Sequence, residues 1–289
     1  MQTGRRSTRT MMGGHHAASG AAAWVAVTAT TPIAFGWYPV SDVGVMTGAL
    51  VCAGAALLPD ADHHNGTISH SLPPVSEGVT KFVSTVAGGH RNATHSIVGI
   101  AVFTAVAWLV SFVTVETERF GEVLIGPGIM AVLLIAFAVR ALKLTGQRRW
   151  WTWSLSVSLA AFVAVFAPEE WYWMPFCVGL GCAVHVLGDL VTTRGVPLLW
   201  PLRIRSPRWV RRHRWLPFDD MWSPRGNFSM PLLGNAGSWR EWAIMTPVSA
   251  YAVLGVAWAM LNQMGFDTAG AWDSATEIVL STGESLLAS

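Results

Sequence analysis

Apolar residues fall along this chain in long blocks, without the strict alternation of a half-buried strand or the single stripe of a surface helix. A helix that crosses a bilayer needs about 20 mostly apolar residues. The candidate blocks lie at roughly 17–35, 43–59, 95–115, 122–142, 151–167, 172–191 and 243–262. Pro32 interrupts the first, and the second is short, so both read as tilted, kinked or packed deep in a bundle. The pattern predicts an all-α, polytopic membrane protein of about seven transmembrane helices. A further short helix is predicted around Glu77–Val86.

Composition points the same way. The 289 residues are 52% hydrophobic and 12% charged, against about 25% charged in a soluble domain. Net charge is +2, which says little about partners; the placement of charge says more. With the N-terminus inside, residues 1–16, 60–94, 140–150 and 192–242 hold every Lys and Arg except Arg119. That asymmetry is the positive-inside rule. Asp42, Glu116, Glu118, Glu122, Glu169, Glu170 and the acidic tail fall on the opposite side. The localisation predicted is a bacterial-type cytoplasmic (inner) membrane, multi-pass and N-in. Arg5, Arg6 and Arg9 precede the first block as in a signal peptide. A second apolar block follows at once, so a retained helix is the reading, with Met11 or Met12 an alternative start. Cys52, Cys177 and Cys182 sit inside apolar blocks with no CxxC spacing and read as small buried hydrophobes.

The chain divides into a membrane-embedded core at 12–205, a basic Trp/Arg-rich segment at 206–242, and a last transmembrane helix with an acidic tail at 243–289. Trp200, Trp209, Trp215, Trp222 and Trp239 alternate with Arg203, Arg205, Arg208, Arg211, Arg212 and Arg214. Trp at headgroup depth with Arg reaching anionic lipid accounts for that mixture. Nucleic acid is the rival partner of an Arg-rich stretch, and the adjacent membrane disfavours it.

Against this background a polar knot stands out: Leu57-Leu58-Pro59-Asp60-Ala61-Asp62-His63-His64. Asp and His supply the hard oxygen and borderline nitrogen donors of Zn²⁺, Mn²⁺ or Fe²⁺ sites. Orientation, derived from Lys and Arg alone, places every histidine on the same side. His15 and His16 open the first span, His90, Arg91 and His95 the third, and His185 and Asp189 close the sixth. His185 and Asp189 are i and i+4, hence on one helical face. A plain hydrogen-bonded pair explains them in isolation; beside the other clusters they read as ligands. Asp60 and Asp62, two apart in an extended segment, point to one side, although Pro followed by Asp is also ordinary turn punctuation. Thr94 is placed to cap the third helix, setting His95 in its first turn. Arg91 offers a bidentate donor for a phosphate or carboxylate, or serves simply as a positive-inside anchor. His16 rather than His15 abuts the helix start, which makes His15 the bystander. His63, His64, His70 and His213 are lesser candidates.

Four stretches in order carry a resemblance: Gly14-His15-His16-Ala17, Leu57 through His63, Gly89-His90-Arg91 with Thr94-His95-Ser96, and His185 through Asp189 running into Gly195-Val196-Pro197-Leu198-Leu199-Trp200-Pro201. Over about residues 12–205 the chain resembles the membrane-bound metal-dependent hydrolases of bacteria, an inner-membrane family with a LexA-regulated member. More distantly it looks like the helical zinc phospholipase C and single-strand nuclease superfamily. Those enzymes carry a second His-x-x-x-Glu pair, absent here, which favours one or two ions over three.

The resemblance implies a divalent metal, zinc foremost, and hydrolase chemistry without naming a substrate; a site at the cytoplasmic leaflet makes a phosphoester or lipid-linked ester the expected one. The expected ligands are His16, Asp62, His95, His185 and Asp189, at the inner ends of the first, second, third and sixth spans. Asp60 or an unliganded His such as His90 is the expected general base, and Arg91 the anion holder. The alternative is a non-catalytic membrane protein, either a metal-stabilised scaffold or a metal transporter. A transporter needs ligands through the midplane and beyond, whereas the central spans here are nearly free of charge. No His-Glu-x-x-His motif marks a zinc protease.

Overall fold

The computed structural model describes residues 13–62, 68–69, 71, 74–87, 92–119, 121–144, 149–166, 168–207, 221–223 and 225–287. His63, His64, His70, His90, Arg91 and His213 lie outside the described residues, as do Arg208, Trp209, Arg211, Arg212, Arg214 and Trp215.

The described helices are α1 (Gly13–Thr28), α2 (Asp42–Ala55), α3 (Val75–Ala87), α4 (Ile97–Val110), α5 (Ile125–Ala141), α6 (Arg149–Phe166), α7 (Met174–Leu190), α8 (Trp239–Gln263) and α9 (Thr268–Leu287). Three helical segments are long and apolar enough to cross a membrane: Asp42–Asp62, Trp171–Leu190 and Trp239–Gln263. Ile97–Val110, Ile125–Ala141 and Trp150–Ala164 are apolar but shorter.

The first block departs from its expected bounds. α1 begins at Gly13 and stops at Thr28, because Pro32 has no N–H to continue the ladder and its ring crowds the carbonyl four residues back. The chain then folds beside the helix end, with Phe35 N–H donating to Ala26 O and Tyr38 N–H to Val27 O. The fold is mostly helical rather than wholly so. Val115–Thr117 and Gly121–Val123 pair as an antiparallel hairpin, Val115 opposite Val123. β-Branched residues alternate there with Glu116 and Glu122, and Gly121 supplies a φ of +66° at the turn. The acidic tail is helical as well, as α9.

Inside the bundle α1 packs on α2, α7 and α8; α2 also packs on α5, and α7 on α4. Small residues allow the closest approach, as in membrane helix pairs generally. A Cβ on Gly20 of α1 would lie 2.6 Å from Cys52 O, and one on Gly181 of α7 would lie 2.7 Å from Ala55 Cβ. The two helices therefore press on the same turn of α2, immediately before the polar knot. Trp24, fully buried, fills the space further along α1 and donates from Nε1 to Gly44 O at 3.0 Å.

Candidate metal centre

Each close contact lies about one helical turn from a candidate ligand. His16 is four residues before Gly20, His185 is four after Gly181, and Asp60 is four after Ala56. Three chain segments pressed together at Cys52–Ala56 thus deliver three polar side chains to one point. The fourth arrives by a different route. Ala93–His95 forms a short 3-10 turn ahead of α4, and it carries His95 to the same place, fully buried. Ser96, not Thr94, caps α4, accepting from Gly99 N–H at 3.1 Å. His95 consequently stands before the helix rather than in its first turn, and Thr94 is released for another task.

The donor atoms converge tightly. His95 Nε2 lies 3.2 Å from His185 Nε2, 3.4 Å from Asp60 Oδ1 and 3.5 Å from Asp189 Oδ2. His185 Nε2 is 3.8 Å from both Asp60 Oδ1 and Asp189 Oδ2. His16 Nε2 is 3.6 Å from Asp189 Oδ1, and its ring stacks on His185 with centroids 3.8 Å apart. Two overlapping groups have metal-ligand spacing, His16–His185–Asp189 and Asp60–His95–His185, and His185 belongs to both.

Hydrogen bonds fix the tautomers. His185 Nδ1 is 2.7 Å from Ala56 O, a pure acceptor, so Nδ1 carries the proton and Nε2 presents a lone pair. Thr94 Oγ1 donates to Asp62 Oδ2 at 2.8 Å and thereby accepts from His95 Nδ1 at 3.0 Å. In these neutral tautomers both Nε2 atoms carry the ring lone pair, 3.2 Å apart and among carboxylate oxygens, and a proton or a metal ion between them relieves the repulsion. Ligands on a tetrahedral zinc, at about 2.0–2.1 Å from the ion, stand roughly 3.3 Å apart, which is the scale seen here. His16 agrees: its buried Nδ1 has no hydrogen-bond partner among the described residues. Such a group costs about 1–3 kcal/mol when left unsatisfied. The residues fit a divalent ion.

Asp60 and Asp62 do not share a side. Residues Leu58–Asp62 form a 3-10 turn, in which positions two apart diverge by most of a half-turn. Asp60 Oδ1 faces His95 Nε2, whereas Asp62 Oδ2 lies 3.9 Å from His95 Nδ1, on the ring's other edge. Asp62 thus orients His95 through Thr94 and does not stand among the donor atoms, while Asp60 does. The Asp60 side chain is also the open one, 26% exposed against 1% or less for His16, His95, His185 and Asp189. Partners of this outer kind typically contribute 10–100-fold to metal affinity. Thr94→Val, which keeps shape and removes the hydroxyl, is expected to weaken zinc binding by about 10–100-fold in a competition titration. Unchanged affinity would remove Thr94 and Asp62 from the site.

Sequence reasoning missed a second polar anchor. His15 Nδ1 lies 2.5 Å from Glu241 Oε1, with both residues buried, and its ring edge meets Trp242. Glu241 Oε2 in turn accepts from Gly237 N–H, and Ser238 caps α8 by accepting from Glu241 N–H. The legible signal was Ser238-x-x-Glu241, a capping box. His15 stands outside both donor groups and instead bolts α1 to the start of α8, next to His16.

The loop after α7 closes the arrangement. Gly195, at φ +61°, brings its backbone so close to Phe228 that a Cβ would lie 2.2 Å from that carbonyl. Val196 and Phe228 exchange backbone hydrogen bonds at 2.9 Å, and Leu198 O accepts from Ile97 N–H at 3.0 Å. Arg203 donates to the Asn92 side chain, setting one guanidinium beside the His95 turn.

A family model described as the YdjM inner membrane protein matches residues 11–264. The chain belongs to that family. The match extends well past residue 205, through Glu241 and all of α8, so the His15–Glu241 bolt lies within the YdjM region. Membership and the apolar helices together make this an inner-membrane protein. No curated protein and no solved structure matches the chain.

Proposed function

We propose that this YdjM-family protein is a membrane-bound, metal-dependent hydrolase. It acts at the cytoplasmic face of the inner membrane on a phosphoester or lipid-linked ester, with seven spans and the N-terminus inside. The observation that carries the reading is the convergence of two imidazole Nε2 atoms, 3.2 Å apart, with carboxylate oxygens contributed by distant segments. His16, His95, His185 and Asp189 hold one or two divalent ions, zinc foremost. When bound, the ion supplies Lewis acidity toward the scissile group.

Asp60 is the basic group nearest solvent, and it takes a proton from the attacking water. Water's oxygen bonds to phosphorus or carbonyl carbon, the ester bond to the leaving oxygen breaks, and the proton held on Asp60 passes to that oxygen. Arg91, directly preceding the Asn92–His95 segment, and Arg203 hold the anionic head. Structural metal sites are closed, whereas catalytic ones keep a position open; the exposed edge at Asp60 favours catalysis over a scaffold role.

The test uses the full chain in detergent micelles, stripped and reloaded with Zn²⁺ or Mn²⁺, against phosphomonoester, phosphodiester and carboxyl-ester lipids. Turnover is expected that a chelator abolishes and metal restores. Asp60→Asn should lower turnover per metal-loaded protein by about 10²–10⁴-fold, the usual contribution of a general base. A loaded wild type that turns over none of these esters, or is indifferent to Asp60→Asn, would sink the reading.

A further inference from the structure

A cleft of about 440 Å³ opens beside the metal centre, walled by α3 and α4 and floored by α5 and α7. Its volume lies within the about 300–1,000 Å³ of ordinary ligand pockets, but its lining is unlike theirs. Val79, Phe82 and Val86 of α3 face Val98, Val102 and Val106 of α4. Apart from Thr94 at the inner end and the indole N–H of Trp200, every lining side chain is apolar or absent.

The inner end adjoins the site. Thr94, whose hydroxyl bridges His95 and Asp62, lines the cleft, and so does Leu58, which begins the turn carrying Asp60. A molecule lying there meets hydrocarbon along its body and, at one tip, the two residues that flank the donor cluster.

α3 is mounted to keep the cleft in that state. Its polar side chains Ser76 and Thr80 are buried, and Ser76 Oγ donates to Ser69 O at 2.8 Å and Thr80 Oγ1 to Ser69 Oγ at 3.2 Å. Phe82 and Val86 are left about 70% exposed at the mouth, and on α4 Val98, Val102 and Val106 are exposed too. α3 shows Phe82 and Val86 on one face and Glu77, Lys81 and Thr85 on another, the amphipathic division of interfacial helices.

We infer that this cleft seats the alkyl chain of a membrane lipid whose ester head lies at the metal centre. The inference rests on the hydrolase reading and names its substrate class: a single-chain or splayed-chain lipid, whose tail leaves the site between α3 and α4. The apolar ligand is taken from the bilayer itself, since the chain is an inner-membrane protein.

The test is photo-crosslinking of the full chain in phosphatidylcholine vesicles doped with phosphatidic acid bearing a diazirine at one acyl-chain end. Adducts are mapped by peptide mass spectrometry. They are expected to concentrate at Phe82, Val86 and Val102, above the exposed belt residues Val253 and Leu254 of α8. Val102→Trp, which fills the cleft, should abolish the adducts at Phe82 and Val86, and Val106→Trp should do the same if the first variant folds poorly. Val253→Trp should leave them unchanged. Adducts spread evenly over α4 and α8, or indifferent to both cleft variants, overturn the proposal. Crosslinks from these residues to a second copy of the chain overturn it too. Protein-bound metal and ester turnover are measured on the same samples. A metal-free or inactive protein with cleft adducts removes the hydrolase reading alone, and an active one without them removes the alkyl seat alone.

Discussion

His185→Ala is expected to leave the purified protein with background divalent metal and no measurable turnover. The reason is its position in both candidate ligand groups. Its Nδ1–H is committed to Ala56 O, so the imidazole cannot turn away from Asp60, His95 and Asp189. Outer partners contribute about 10–100-fold to affinity, and loss of a shared donor should exceed the upper end of that range. The substitution also strips Ala56 O of its donor and opens a void in a fully buried site. A destabilisation of about 1–3 kcal/mol should accompany it from the lost hydrogen bond alone. Elemental analysis of protein at equal monodispersity separates the two effects. His16→Ala makes the comparison sharper, because it touches one group only. With two ions, His16→Ala retains about half the metal; with one ion held jointly, it loses nearly all. One full equivalent of metal surviving in His185→Ala would mean that the ion sits elsewhere.

Much of this centre was legible in the chain because helical periodicity carries real geometry. His185 and Asp189 share a face by spacing alone, and positions near the ends of apolar blocks share a depth. What failed was local backbone geometry between the blocks. The sequence pattern of Asp60 and Asp62 suits an extended segment, yet Leu58–Asp62 winds into a 3-10 turn and sends their carboxylates to opposite edges of His95. Thr94 and Ser96 are equally good caps by residue type, and only the structure shows that Ser96 holds the helix while Thr94 bridges His95 and Asp62. The His15–Glu241 contact joins residues 226 apart in sequence, a distance across which no periodicity operates. The hairpin at Val115–Val123 was hidden by its apolar and acidic neighbours, which read as a loop between two spans.

Least legible was the packing that brings the ligands together, and it yields the second large effect. Gly181→Val should both destabilise the protein and disable the metal centre, though Gly181 is no ligand. A Cβ at this position would lie 2.7 Å from Ala55 Cβ and 2.8 Å from Ala56 N and Cys52 O. Two of those three atoms are backbone, so no rotamer change relieves the clash, and α7 must move off α2. Overpacking of this kind typically costs about 1–3 kcal/mol. The displacement is passed to His185, one turn along the same helix, and to its bond with Ala56 O. A misplacement of about 1 Å in a catalytic group can cost about 10²-fold in rate, so turnover should fall at least that far, with weaker zinc binding. Gly128→Ala provides the control: a Cβ there meets nothing within 4 Å, and replacing a helical glycine is neutral or stabilising by up to about 1 kcal/mol. Ala55→Gly removes the closest of the three contacts and should rescue Gly181→Ala in part, since the two backbone contacts remain. Thermal unfolding, zinc competition and turnover on the set Gly181→Val, Gly128→Ala and Gly181→Ala with and without Ala55→Gly decide it. A Gly181→Val protein with wild-type midpoint and zinc affinity would show that α2 and α7 do not set the ligand geometry.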